Sequence, residues 1–267
     1  HVARGVWARG ALDVAALRQA VTRVVERHEV LRTTFVSRDG VPRRFVHADA
    51  RFGFEVGDSQ SNWSYTRAFL YTLGQPFFHT GLRGTATIAS AFEIKAIAVN
   101  GWNVTVDDNR AKSLGLQLGW VGRSDMSVRL GAIAGAEQPD VVQGANGAQV
   151  VVSGANGRLR KLVDLVATYD PTGSLHLAFN ADYATEATVG PTAKWYGAML
   201  AAHVTASDTF GVGLRGEWYR DQGGISTGLA NDVTLTSGAL TLEATPAKNL
   251  LVRLEPRLDH ADSPVFR

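Results

Sequence analysis

Residues 175–183, LHLAFNADY, decide how the rest of the chain is read. On an extended strand Leu175, Leu177, Phe179, Ala181 and Tyr183 project to one side, and His176, Ala178, Asn180 and Asp182 to the other, because successive side chains point to opposite faces. The first side is apolar and ends in a tyrosine; the second holds ionisable groups. A soluble sandwich strand shares the alternation, but the ionisable side and the terminal tyrosine point to a barrel wall between lipid and water.

The pattern recurs outward from this strand. Phe92, Ile94, Ala96 and Ala98 oppose Glu93, Lys95 and Ile97, while Leu114, Leu116, Leu118 and Trp120 oppose Gly115, Gln117 and Gly119. Val128 and Leu130 oppose Arg129 and Gly131; Val163, Leu165, Ala167 and Tyr169 oppose Asp164 and Thr168. Beyond the central strand come 194–205, then Phe210, Val212, Leu214, Gly216 and Trp218 against Arg215, Glu217 and Tyr219. A strand over 233–245 follows, with a bulge expected near Gly238. The last strand sets Leu250, Val252, Leu254 and Leu258 against Arg253, Glu255, Arg257 and Asp259. These segments predict a mainly β, antiparallel up-and-down transmembrane barrel of about 9–10 strands.

Connection lengths add independent information. Those at 122–124, 170–173, 206–207 and 246–248 are short; those at 100–112, 135–158, 184–192 and 220–231 are longer, and the two kinds alternate. Outer-membrane barrels have short turns on one side and long loops on the other, whereas a sandwich has no reason to sort its loops by parity. Parity directs 175–183 away from the turn at Pro171 and toward the longer loop. Trp120, Tyr169, Tyr183 and Trp218 end strands, and Trp195 with Tyr196 opens one, which suggests membrane-girdle aromatics; each alone reads more readily as a core residue.

Composition agrees. The chain has 28 glycines, two methionines, no cysteine, 45% hydrophobic and 19% charged residues, which suits a folded strand-and-turn protein and excludes disulfides and thiolate metal sites. A net charge of +2 is too small to imply nucleic acid. No apolar run of about 18 residues is present, which excludes a transmembrane helix but not a barrel.

The first fifty residues differ. They hold nine arginines, no lysine and five acids, net +4, whereas the remainder has 18 basic and 20 acidic residues, net −2. Helical spacing of Leu12, Ala16, Val21, Val24 and Val25 predicts a helix over about 13–28 capped by Asp13, followed by strands at about 33–37 and 43–47 around the turn 38–40. Domains of 1–50 (α/β) and 51–267 (β) are expected.

The candidate water-facing residues are Glu93, Lys95, Gln117, Arg129, Asp164, His176, Asn180, Asp182, Arg215, Glu217, Arg253, Glu255, Arg257 and Asp259. Their mixed signs fit a pore of weak ion preference, and fit equally well a wall stiffened by ion pairs. Glu255 and Asp259 are about 13 Å apart by strand rise, too far for a retaining glycosidase pair. Asp107-Asp108-Asn109 lacks the spacing of an EF-hand loop, and neither GANG copy, 144–147 or 154–157, is followed by a phosphate-loop lysine. The loop around them is expected to be flexible, with an inward fold as a constriction. No cofactor, metal site or catalytic residue is expected.

Two resemblances extend this reading. The run GALDVAALRQAVTRVVERHEVLRTTF, ending at Phe35, resembles the N-terminal part of nonribosomal peptide synthetase condensation domains over about the first 48 residues. That family's paired-histidine motif has no counterpart, since the seven histidines are all isolated, so the resemblance brings no catalytic residue. The stretch SNWSYTRAFLYTLGQPFFHTGLR at 61–83, with VNGWN at 99–103, DNRAKSLGLQLGW at 108–120 and the terminal LLVRLEPRLDHADSPVF, resembles outer-membrane β-barrel porins of the OmpL-like type. This resemblance implies a Gram-negative outer-membrane channel for small polar solutes, in contact with outer-membrane lipid, without a catalytic centre and open to homo-oligomerisation. Against that family the chain lacks a leader and a closing strand ending in an aromatic, so an incomplete wall is expected, the strand 250–259 having no returning partner. The alternatives are a condensation-type acyltransferase, or a chimeric reading frame without a native role.

Overall fold

The structure, a computed structural model, describes residues 14–27, 33–38, 41–46, 63–105, 109–143, 149–229, 231–247, 250–263 and 265. The chain forms two compact units, one of residues 1–62, 143–150 and 246–251, the other of 63–142, 151–245 and 252–267. The first contains helix α1 (Val14–Arg27) and the hairpin β1 (Thr33–Arg38) with β2 (Val41–Val46), paired from Thr33↔Val46 to Arg38↔Val41. Asp13, His28 and the Asp39-Gly40 turn lie outside the described residues, as do Asp107, Asp108 and the first GANG copy.

The second unit is a wall of consecutive hairpins. It runs through β3 (Gly81–Ile88), β4 (Phe92–Val99), β5 (Ser113–Arg123) and β6 (Met126–Ala136). The long connection that follows carries β7 (Val141–Gln143) and β8 (Gln149–Val151). The wall resumes with β9 (Leu159–Tyr169), β10 (Leu175–Glu186), β11 (Ala193–Thr205), β12 (Phe210–Gln222) and β13 (Val233–Ala247), and ends in β14 (Leu250–Leu254) and β15 (Arg257–Ala261). Among the described residues, β7 and β8 form a separate two-stranded sheet, and in the wall strand order otherwise follows chain order from β3 to β14, β6 lying beside β9 and β15 also on β13. This is the up-and-down antiparallel arrangement, in which tight turns place each strand beside its predecessor.

Three details depart from the sequence reading. β3 is a full strand from Gly81, although Gly84, Thr85, Ala86 and Thr87 give it little alternation. No irregularity occurs at Gly238, which pairs with Gly216 in an unbroken register; the bulge lies instead between Trp120 and Arg123. There the Trp120 indole packs over Gly122, where a Cβ would sit 2.7 Å from the indole nitrogen and displace the ring. The final strand breaks at Glu255-Pro256, where proline has no N–H for the ladder.

Register fixes which side chains share a face. Leu82, Ile94, Leu116, Ala132, Leu165, Ala181, Ala198, Gly216 and Thr236 lie on one side, and between the strand ends from β3 to β13 this side carries no charge among the described residues. Lys161, Lys194 and Arg220 share that side only at the long-loop ends. Leu82, Leu200, Leu214 and Leu258 are each more than half exposed on it. An apolar surface this continuous is unstable against water and stable against hydrocarbon.

The opposite, inner side is crowded. Gly197 lies between Asp182 and Tyr219, and a Cβ there would approach the Trp218 carbonyl to 2.5 Å. Gly197→Ala is therefore expected to force β11 from β12 and cost about 1–3 kcal/mol by urea unfolding. Gly216→Ala, in open space on the outer side, is the control and should stay within about 0.5 kcal/mol.

Candidate functional site: the inner face and its inserted segment

Residues 63–80, which precede β3, follow neither strand nor α-helix periodicity. Leu70–Gly74 forms a π-helical turn, flanked by extended chain from Gln75. Phe69 and Leu70 are buried, with Val99, Ile133, Leu162, Ala184, Trp195, Tyr219, Val233 and Leu235 in the same apolar cluster. Each of those wall residues is on the inner side by register, so the segment lies against the inner face.

Polar contacts hold it there. The Glu255 carboxylate accepts hydrogen bonds from the backbone N–H of Tyr65 (2.6 Å) and Thr66 (3.0 Å), and from the hydroxyls of Thr66 (2.5 Å) and Thr241 (2.6 Å). Glu217 accepts from the Phe69 N–H. In the opposite sense, the Arg215 guanidinium donates to the Thr66 carbonyl (2.6 Å) and hydroxyl (2.9 Å), and Arg257 donates to the Arg67 carbonyl (2.6 Å) and lies 4.8 Å over the Phe69 ring. Glu217 is further flanked by Arg215 at 3.8 Å and Arg257 at 3.6 Å, and Asp259 accepts from Arg257 at 2.6 Å.

Further along, the Gln75 amide nitrogen reaches Asp164 (3.3 Å), Asn180 (3.1 Å) and Asp182 (2.9 Å) together. Asn180 in turn donates to Asp164 at 2.6 Å. On the arc β4 to β6, Lys95 bridges Glu93 at 2.9 Å, Arg129 donates to Ser127 at 2.9 Å, and Gln117 lies in the same inner row as Lys95. His176 meets Asp170 at 2.9 Å and packs near Trp63 and His203; Arg253 pairs with Glu243 at 2.7 Å. The predicted water-facing residues thus share one face in three groups, centred on Glu93 and Lys95, on Asp164 and Asp182, and on Glu217 and Glu255, with His176 and Arg253 apart.

Trp195 corrects the girdle set. By register it shares the inner side with Ala184 and Asp221; it is buried, donates its indole N–H to the Gly74 carbonyl at 3.0 Å, and meets Trp102 edge-on at 6.0 Å. Arg160 lies over both indoles and grips the buried Glu186. Tyr196, the next residue, is outward; it stacks on Tyr183 (ring centroids 5.9 Å apart) and meets Trp218 at a tilt of 55° (5.6 Å). Trp120 and Tyr169 lie on the outer side at the short-turn end, with Phe92 and Phe210. Phe210 and Trp218 are eight residues apart, roughly 27 Å of strand, which a tilt of about 40° shortens to about 20 Å of height.

Sequence reasoning missed Thr66, Phe69, Gln75, Trp102 and Asp221. Asp221 caps the turn 225–228 by accepting from Ser226 and Thr227. The long β6–β9 connection, expected as a constriction, contacts its own base: Asn156 reaches Asp140 (2.5 Å), and Arg158 reaches Gln138 (3.0 Å) and Ser153 (2.8 Å).

An antiparallel meander with an apolar exterior and a charged interior is the wall of an outer-membrane β-barrel. A family model described as "Putative beta-barrel porin-2, OmpL-like" matches residues 51–267, and the chain belongs to that family. Among solved structures it is similar to OmpT of Vibrio cholerae, an outer membrane protein in its trimer form, at 14% identity and a TM-score of 0.54, over 75% of this chain and 61% of that one. The loop L8 deletion mutant of the same protein matches with TM-score 0.54 and 14% identity, over 76% of this chain and 66% of that chain. The likeness is one of fold. A stretch of 54 residues is 39% identical to a linear gramicidin synthase of Brevibacillus parabrevis, covering 20% of this chain and 1% of that protein.

Charge-assisted hydrogen bonds of the Glu255 kind contribute about 1.5–3 kcal/mol each. Glu255→Ala should therefore raise the rate of trypsin cleavage after Arg67 on the order of tenfold or more, since cleavage follows the population of the released segment. Outside the wall, the N–H and hydroxyl of Thr234 hold the Asp262 carboxyl below its ordinary 3.8, with Arg220 adding to this. A lowered folded-state value stabilises above the unfolded one and is lost as pH falls through the folded one. Asp262→Asn should accordingly remove a small part of the stability seen above pH 4 and of its loss at lower pH, read from urea midpoints.

Proposed function

We propose that this chain forms channel wall in a bacterial outer membrane, and that small polar solutes cross passively along the inner face of β4 to β6, beside the segment 63–80. The observation that carries the reading is the partition of charge. Among the described residues the outer side is free of charge between two aromatic bands, while the inner side of the wall holds Glu93, Lys95, Gln117, Arg129, Asp164, His176, Asn180, Asp182, Arg215, Glu217, Arg253, Glu255, Arg257 and Asp259. Hydrocarbon excludes such groups and water accepts them, so a water-filled interior is the environment that suits both sides. In this reading Trp120, Tyr169, Tyr183 and Trp218 meet the lipid headgroups, joined by Tyr196 in place of Trp195.

Membership of a porin family favours transport without chemistry. The carboxylates of the Glu217 and Glu255 group engage backbone amides and guanidinium groups, which suits anchoring of the inserted segment. The condensation-domain-like residues 1–50 are assigned no activity, because their resemblance includes no paired-histidine motif. Self-association is part of the reading, on the precedent of the trimer form named for the Vibrio cholerae protein.

Liposomes bearing refolded protein should swell in iso-osmotic erythritol; inserted protein that admits no solute contradicts transport. Leu116→Arg, on the outer side of β5 and further from the Trp120 band, near mid-height, should lower the stability of the inserted state by about 2–4 kcal/mol, and Gln117→Arg, on the inner side of the same strand, by far less.

A further inference from the structure

We propose that the inner face carries a site for small zwitterionic solutes, bearing an ammonium and a carboxylate on a short frame, between Lys95 and Asp164. The inference rests on the channel reading above and names the solute class that the channel favours.

One inner row of the wall runs Thr85, Lys95, Gln117, Gly131, Asp164 and Asp182 on successive strands β3, β4, β5, β6, β9 and β10. Its middle is empty because Gly131 has no side chain; a Cβ there would come no nearer than 3.7 Å to any atom, the first being the Gln117 amide nitrogen. A cavity of about 250 Å³ opens over this gap, with Gln75 and His79 of the inserted segment on its other side.

The two ends of the row have opposite charge. At one end Lys95 and Arg129 accompany the single carboxylate of Glu93. Gly119 lies between Glu93 and Arg129 in the adjoining row, and the side chains of both flank it at 3.6–3.7 Å from its Cβ position. At the other end the carboxyl groups of Asp164 and Asp182 face and interact with each other across β9 and β10, and their remaining side-chain contacts are to the neutral amides of Gln75 and Asn180, so the pair stays negative with no cation beside it in those contacts. Amides donate hydrogen bonds to a carboxylate without cancelling its charge. Lys95 and Asp164 are three strand spacings apart, roughly 14 Å along the wall, and their side chains narrow that gap.

Pro76, Ile97 and Leu162 make part of the lining apolar, which keeps the local dielectric low and the field between the poles strong. A zwitterion spanning the gap places its carboxylate toward Lys95 and its ammonium toward Asp164. A simple anion or cation meets one attracting and one repelling pole, and a neutral polyol gains nothing from either.

The test compares two solutes in the same liposomes. γ-Aminobutyrate should enter on the order of threefold faster than erythritol, the effect of about one exposed ion pair. Lys95→Gln and Asp164→Asn should each bring that ratio toward one. The exchanged pair, Lys95→Asp with Asp164→Lys, should restore it, since a zwitterion can bind turned end for end; a merely structural role for either residue would not be rescued in this way. A ratio between two solutes is independent of how much protein folds and inserts. Equal rates in the native protein, or an unchanged ratio in Lys95→Gln, would overturn the proposal. No erythritol entry through inserted protein would strike the channel reading first, and this one with it.

Discussion

A polypeptide in hydrocarbon has no water to satisfy its backbone, and each unpaired N–H or carbonyl there costs several kcal/mol. Every feature of this wall answers that constraint. Strands pair with their chain neighbours because tight turns deliver the partner at once, as in the β9–β10 ladder from Leu177↔Tyr169 to Glu186↔Arg160. Once the backbone is paired, strand alternation decides the rest, and the two faces of one strand meet different solvents. Between the strand ends, among the described residues, side chains with charge are confined to the inner face.

Confinement creates a second problem, which residues 63–80 address. A buried carboxylate or guanidinium needs a partner, and a segment outside regular secondary structure has backbone groups without ladder or helix partners. Here the two deficits cancel. Glu255 and Glu217 take up the N–H groups of Tyr65, Thr66 and Phe69, and Arg215 and Arg257 take up the carbonyls of Thr66 and Arg67. Four of the charges that sequence reading placed on the water-facing side, Arg215, Glu217, Glu255 and Arg257, thus anchor the segment. The arc from β4 to β6, with Lys95 and Gln117, keeps a cavity beside it.

The sequence made the wall legible wherever apolar and polar residues alternate strictly, and loop parity gave the strands their direction. β3 escaped because Gly84, Thr85, Ala86 and Thr87 are too small and too uniform in polarity to mark a phase. The inserted segment escaped because its contacts to the charged wall residues reach across 89 positions from Gln75 to Asp164 and 190 from Tyr65 to Glu255, and no local period records them. Trp195 was misplaced for a different reason. It was assigned by its position at a strand end, yet the run Tyr196, Ala198, Leu200, Ala202 and Val204 already places apolar side chains on even positions and leaves Trp195 on the opposite face. Position along a strand sets depth, and parity sets the face.

The absence of cysteine allows one direct test of the two-solvent wall. Single cysteines placed in turn at positions 176–183 of β10 can be labelled with a water-borne thiol reagent and with a fluorophore quenched by nitroxide-bearing lipid. A two-solvent wall gives strict alternation, with water labelling at 176, 178 and 180 and lipid quenching at 177, 179, 181 and 183. Uniform labelling along the strand, or quenching at the even positions, would contradict it.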